Sequence, residues 1–374
     1  MPEPLQHRWS VANNYLAGIT LDRWLELLCH HRISPAYWHR ALFITAAACM
    51  NSIARRHEDT LAAEIAATEL SGPPLFILGH WRSGTTHLHN LLALDTKNFA
   101  FANTYQVTNP LTFLTTEEAN TRRFAKLVPS KRPMDNMAMG FALPQEDEFA
   151  PCLDTLKSSY LGISFPRDVD YYDRYLTFKG VPESEMEEWR DALITFCKKL
   201  TWKYKRPLLL KSPSHTARIR HLMDWFPGAR FVNIHRHPHE VFRSTRHYWD
   251  TAVWYTYLQK PDRSKLDEEI MLRYRHVMDA YHEQAPQVPA ERFHELAFTE
   301  LESDPMGSLE RIYDQLSIPD FEELRPIFQN YIDQQKSYRK NRFTALPEET
   351  LAMVNRHAQP EFERWNYDPQ PTRS

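Results

Sequence analysis

Glycine is scarce, with only nine in 374 residues, which excludes a collagen-like or low-complexity chain and makes each glycine a position to inspect. Cysteine is scarcer still. Cys29, Cys49, Cys152 and Cys197 stand far apart, with neither the paired spacing of a zinc site nor the density of a disulfide framework, so reduced thiols in a cytoplasmic protein are expected. Neither sign of charge dominates, the formal net charge being −3; a uniformly basic nucleic-acid binder is excluded, and no nucleic-acid partner is expected. Long apolar runs are also missing. The longest, Ala41 to Ile53, ends at Arg55-Arg56, short of the roughly 18 residues a spanning helix needs. Met1 to Asn14 is polar and lacks the apolar core of a secretion signal.

What is present is a long, proline-studded chain with 26 prolines, enough for one large α/β domain with a substantial core. Residues 1–70 read as a helical cap: Leu21, Trp24, Leu25, Leu27 and Leu28 recur at helical spacing, as do Leu42, Ile44, Ala47 and Met50. Arg, His and Trp are interleaved there, as in Trp38-His39-Arg40, so a peripheral membrane contact through these helices accompanies the cap reading. From about 99 to 175 periodicity fades, which suits a lid or acceptor region. That stretch includes Tyr160, Phe165, Tyr171, Tyr172 and Tyr175, suited either to an apolar pocket or to core. Residues 71–374 are expected to form the α/β domain, in one compact unit with the cap.

Three short apolar runs read as buried parallel strands: Pro74 to Leu78, Pro207 to Leu210 and Ala229 to Ile234. Each is followed by polar residues, which therefore gather at the carboxyl edge of the sheet, where open α/β folds bind ligands. After the first run comes Gly79-His80-Trp81-Arg82-Ser83-Gly84-Thr85-Thr86. This is the Gly-x4-Gly frame of a phosphate loop opening a helix, but the lysine that normally follows the second glycine is absent and Arg82 stands two places before that glycine. Backbone amides at a helix start attract an anion whatever the side chains are, whereas the missing lysine is the group that reaches the outer phosphates of a nucleoside triphosphate. After the third run, Arg236-His237-Pro238-His239-Glu240-Val241-Phe242-Arg243-Ser244 pairs a strand-end arginine with a hydroxyl about two turns into a helix, which suits a phosphate monoester.

Together, the loop Gly79 to Thr86, the strand end Lys211-Ser212-Pro213 and the segment Arg236 to Ser244 resemble the signature of sulfotransferases that use 3′-phosphoadenosine 5′-phosphosulfate (PAPS), over roughly Pro74 to Thr245. The resemblance implies a three-layer α/β/α fold of the P-loop NTPase type, with a central parallel sheet and helical N- and C-terminal elaborations. It implies PAPS as co-substrate, no required metal, and a hydroxyl or amine on a small-molecule, lipid or carbohydrate acceptor. Carried over residue by residue, Arg82, Ser83, Gly84, Thr85 and Thr86 match the loop around the 5′-phosphosulfate. Arg236 and Ser244 match the 3′-phosphate pair, and Arg339-Lys340 loosely matches a C-terminal segment that touches the same phosphate. Lys211 resembles the lysine that steadies the breaking S–O bond.

The catalytic base is open between two chemistries. His215, four residues beyond Lys211, offers an imidazole to an acceptor hydroxyl; the acidic run Glu146, Asp147 and Glu148 offers carboxylates from the middle region, with Glu146 and Glu148 the preferred two. His80, His87 and His89 flank the loop and suit helix packing. Two other functions compete with sulfuryl transfer: an ATP-dependent P-loop small-molecule kinase, and a non-enzymatic membrane-associated scaffold built on the N-terminal helices. Against the kinase, no aspartate ends an apolar strand to hold magnesium.

Overall fold

The computed structural model of the chain describes residues 5–11, 13–124, 135, 140–335 and 343–370. The principal helices are α1 (Leu21–His30), α2 (Trp38–Glu58), α3 (Thr85–Leu92), α4 (Glu183–Tyr204), α5 (Pro238–Thr251) and α6 (Leu266–Gln284). The strands are β1 (Leu75–Leu78), β2 (Ala100–Phe101), β3 (Leu208–Lys211), β4 (Arg230–His235) and β5 (Phe293–Ala297). The chain divides into two compact units.

The first unit gathers Met1–Ser71, Phe101–Arg206 and Trp249–Arg263. Helix α1 buries Trp24 and Leu27, and α2 buries Ile44, Ala47 and Ala48. The return of residues 249–263 to this unit depends on a buried cation: the Arg40 guanidinium donates to the carbonyls of Trp254 and Tyr257, both at 2.9 Å, and to those of Ser10 and His7 at 2.9 and 2.7 Å. Four carbonyls give the guanidinium the bonds that burial would otherwise deny it, and burial still lowers its pKa. A second buried cation, Lys199 of α4, bonds Glu58 at 2.7 Å and the carbonyl of Pro110 at 2.9 Å.

The middle region is less irregular than its sequence implies. It carries the short helices Thr104–Thr108, Phe113–Phe124, Phe149–Thr155, Tyr160–Ser164 and Val169–Asp173, the first opened by a capping box in which Asn103 and Gln106 each bond the other's backbone N–H. Most are too short for apolar periodicity to reveal. Tyr160, Phe165, Tyr172 and Tyr175 are buried, while Tyr171 is exposed. Among the described residues no helix is long and apolar enough to cross a membrane.

The second unit, Gly72–Ala100, Pro207–Tyr248 and Ser264–Ser374, holds the sheet, ordered β2-β3-β1-β4-β5. β1 pairs in parallel with β3 and β4, and β4 in parallel with β5. Every residue of β1 and β3 is buried, because helices flank the sheet and leave neither strand face to water. Phe76 of β1 stacks on Phe231 of β4 with centroids 5.6 Å apart. The register sets Lys211 level with Ile77, and Asn233 level with Leu78. The carboxyl ends of β3, β1 and β4 thus lie side by side, with β1 central, at the place where the strand order reverses and ligands enter such sheets.

Candidate anion-binding and active site

β1 gives way at Gly79, whose φ of +137° belongs to the left-handed half of the map. A Cβ there would stand 2.5 Å from the Ile234 carbonyl oxygen and 2.7 Å from Ser83 Oγ; the loop therefore turns against the end of β4 in a space that admits no side chain. The Gly79 N–H donates to Thr216 Oγ1 at 2.8 Å, tying the loop to the turn Pro213–Ala217 that follows β3. Arg82 adopts a positive φ of +71° despite its Cβ, a conformation uncommon outside glycine and concentrated at functional sites. Gly84, at φ +112°, is the N-cap of α3 and supplies no side-chain cap, so the helix start is left to an incoming acceptor of hydrogen bonds. Ser83 is buried and its hydroxyl has no hydrogen-bond partner among the described residues.

The loop and the β4 end lie against each other. Arg82 Nε–H donates to Ser244 Oγ at 2.9 Å, and Arg236 Nη1 reaches the Arg82 carbonyl at 3.4 Å. The reason is topological: β1 and β4 are neighbours, so their ends stand about 5 Å apart. Glu240 closes the outer side, 3.4 Å from Arg236 and 3.1 Å from Arg243. The Arg236 guanidinium lies over the Phe298 ring, 4.7 Å from its centroid. Phe298 also sits where a Gly84 side chain would go, 2.3 Å from a Cβ built there, so it backs the loop and one arginine at once. Phe298 and Thr216 escape a reading of the sequence because neither stands in a motif; only the ladder brings them to the loop.

Lys211 and His215 lie on the β3 side, both fully or almost fully buried, with the His215 ring edge-on to Phe76 at 5.3 Å. Glu146, Asp147 and Glu148 belong to the first unit. There Glu146 accepts from the Tyr160 hydroxyl at 2.5 Å and the fully buried Glu148 from Ser158 Oγ at 2.6 Å. Arg339 and Lys340 lie outside the described residues.

Two histidines, the buried His80 and the half-buried His235, stand beside the loop. His80 Nδ1 lies 2.9 Å from the Trp81 carbonyl, an acceptor only, so that nitrogen carries the proton. Burial pushes the imidazole down to about 4, the Trp81 bond opposing and Arg273 adding to the shift. His235, whose ring stacks 4.1 Å from Trp365 and bonds the Tyr367 hydroxyl at 2.8 Å, is also lowered to about 4 by burial. Both are neutral in the folded chain but protonate near 6.5 when unfolded, so the unfolded state binds more protons between those values. Stability should be full above pH 6.5 and fall as pH drops towards 4, by up to about 3 kcal/mol for a residue as buried as His80. Denaturant titrations across that window should show the slope, and His80→Asn should flatten it; an unchanged slope in the variant would remove His80 as its source.

Residues 73–323 match the sequence pattern described as the Sulfotransferase family. A Mycobacterium bovis protein named omega-hydroxy-beta-dihydromenaquinone-9 sulfotransferase Stf3 is 34% identical over 363 residues, covering 95% of this chain and 92% of its own length. Among solved structures, sulfotransferase STF9 from Mycobacterium avium superposes with a TM-score of 0.73 at 18% identity, covering 96% of this chain and 97% of that one. Sulfotransferase STF1 from Mycobacterium tuberculosis H37Rv gives 0.63 at 16% identity, covering 91% and 87%. These two likenesses bear on the fold.

Proposed function

The chain belongs to the sulfotransferase family, and we propose that it moves a sulfuryl group from PAPS to a hydroxyl of a lipid acceptor. The kinase and the non-enzymatic scaffold are set aside by the family. The observation that carries the donor assignment is the Arg82–Ser244 bond beneath Arg236, which joins the phosphate loop to a second anion-binding segment. A nucleotide phosphorylated at both the 3′ and 5′ positions requires two such segments. The residues fit it: a loop whose two bounding glycines leave no room for a side chain, a buried serine hydroxyl without a partner among the described residues, and two arginines at adjoining strand ends.

Bound there, PAPS would supply the activated sulfuryl group. The loop from Arg82 to Thr86 would hold the 5′ end, Arg236 and Ser244 the 3′-phosphate, with Arg339 and Lys340 as further contacts for it. Lys211 would neutralise charge growing on the bridging oxygen as the S–O bond breaks. His215 is the assigned base, taking the acceptor's proton as its oxygen bonds sulfur, with 3′,5′-phosphoadenosine leaving in line on the opposite side. Glu146 and Glu148 are the competing bases, although the bond of Glu148 to Ser158 suits an anchor of its own helix. The acceptor class follows the 34% identical relative, whose name gives an omega-hydroxylated dihydromenaquinone.

Thermal unfolding tests the donor site. 3′,5′-phosphoadenosine should raise the midpoint without magnesium, adenosine 5′-phosphate should raise it less, and Arg236→Gln should remove most of the difference between them. A charge-assisted bond of this kind is worth about 1.5–3 kcal/mol, so the variant should bind 3′,5′-phosphoadenosine roughly 10- to 150-fold more weakly. Equal stabilisation of variant and parent would remove Arg236 from the site.

A further inference from the structure

The first unit carries an apolar surface that its own core does not use. Along α2, Trp38, Leu42, Met50 and Ile53 are exposed by 60–72%, and Leu25 of the preceding α1 by half. The spacing of 38, 42, 46, 50 and 53 puts these positions, with the exposed Ala46, on one helix face. Scattered exposed apolar residues are ordinary, but a contiguous stripe of large ones marks an interaction surface.

The charges around the stripe select its partner. From Ala41 to Ala54 α2 has no charged residue; His39 with Arg8 flanks the start, and Arg55, Arg56 and His57 flank the finish, where Arg55 also faces the exposed Asp59 at 3.8 Å and Glu58 is buried against Lys199. At the starting end Trp9 is exposed by 73%, lies under the Arg8 guanidinium at 4.8 Å, and stands 5.1 Å from the His39 ring. The acids closest in sequence on α1 face arginines, Asp22 at 3.7 Å from Arg55 and Glu26 at 3.1 Å from Arg23. An apolar face about 20 Å long, with tryptophan and basic residues at its rim, has the composition of a helix lying in a bilayer interface. A second copy fits less well, since antiparallel pairing of two stripes would set the basic end of one against the basic end of the other.

We propose that the exposed face of α2, with Leu25 of α1, docks this enzyme in the plane of an anionic lipid surface, its apolar side chains among the acyl chains and its basic ends on the headgroups. The face shares no residue with the candidate nucleotide site, which belongs to the second unit. The proposal shares with the assigned acceptor only its lipid character, and vesicle binding is read without any acceptor or turnover, so failure of one does not imply failure of the other.

Two measurements test it. The full chain should co-sediment with vesicles of phosphatidylcholine and phosphatidylglycerol, more weakly with phosphatidylcholine alone and more weakly as salt rises. Leu42→Asp combined with Met50→Asp should weaken that binding at least about tenfold, with stabilisation by 3′,5′-phosphoadenosine unchanged as the control for folding. In a Cys29→Ser background, an environment-sensitive dye on exposed Cys49 should shift to the blue on adding anionic vesicles, the buried Cys152 and Cys197 being protected from labelling. Equal binding by the Asp variant, absence of binding by the parent, or an unshifted dye would overturn the proposal. So would a parent dimer in light scattering that the Asp variant dissociates, which would assign the stripe to self-association.

Discussion

Lys211→Met should slow sulfuryl transfer by about a hundredfold or more while the sheet stays folded. Lys211 ends β3 level with Ile77 and is almost wholly buried, so the strand aims it rather than a mobile loop. A fixed cation beside a leaving oxygen acts in a low dielectric and needs no rearrangement as charge develops, and removing one such group costs about 3 kcal/mol of barrier, roughly two orders of magnitude in rate. Methionine keeps the volume, so the unfolding midpoint reads separately whatever the buried ammonium contributes to stability. Single-turnover rates with saturating PAPS, alongside the unfolding midpoint, separate the possibilities. A rate within about threefold of the parent, only a fraction of that barrier cost, would take Lys211 out of the chemistry; a collapsed midpoint would make it a structural residue.

How much of this was legible beforehand differs between the two units, for physical reasons. β1, β3 and β4 announce themselves because a strand covered on both faces must be apolar throughout, and Leu75-Phe76-Ile77-Leu78 and Leu208-Leu209-Leu210 are. The loop and the Arg236–Ser244 segment are legible because their chemistry is local: two glycines at fixed spacing, and an arginine and serine separated by two helical turns. The first unit is hidden because its cohesion is not local. Arg40 bonds carbonyls more than 210 residues away, and nothing in Trp38-His39-Arg40 distinguishes that guanidinium from one in solvent. The acidic run shows the same limit: nothing in Glu146-Asp147-Glu148 discloses that Glu148 is fully buried and accepts a hydrogen bond from Ser158.

The displaced arginine of the loop illustrates what sequence order alone cannot convey. Counted along the chain, Arg82 and Ser244 are 162 residues apart and resemble members of two separate phosphate subsites. In the sheet, β1 and β4 are adjacent, and the positive φ of Arg82 turns its side chain towards α5. Arg82, Arg236 and Ser244 therefore act on one another, and their contributions to nucleotide affinity should be non-additive. A lysine two places later, after Gly84, would extend from the first turn of α3 instead. That difference in origin is the ground for proposing a 5′-phosphosulfate rather than a triphosphate at this loop.

Gly79→Ala should abolish stabilisation by 3′,5′-phosphoadenosine and lower the unfolding midpoint, although it adds one methyl group. The new Cβ meets the Ile234 carbonyl oxygen at 2.5 Å, a backbone atom locked in the β4 ladder that cannot swing aside as a side-chain end would. A φ of +137° must be abandoned as well, and strain and overpacking each cost about 1–3 kcal/mol. The loop's cheapest escape is to lift from β4, which also breaks the Gly79–Thr216 bond and separates Arg82 from Ser244. Gly180→Ala provides the comparison: its φ is also positive, at +74°, but nothing lies within 4 Å of the added carbon, so it should cost only the left-handed backbone penalty, about 1 kcal/mol, and leave nucleotide binding untouched. Equal nucleotide stabilisation in the two variants would mean that close approach of the loop to β4 is not what builds the anion site, and the assignment of Arg82 to Thr86 as its cradle would fall with it.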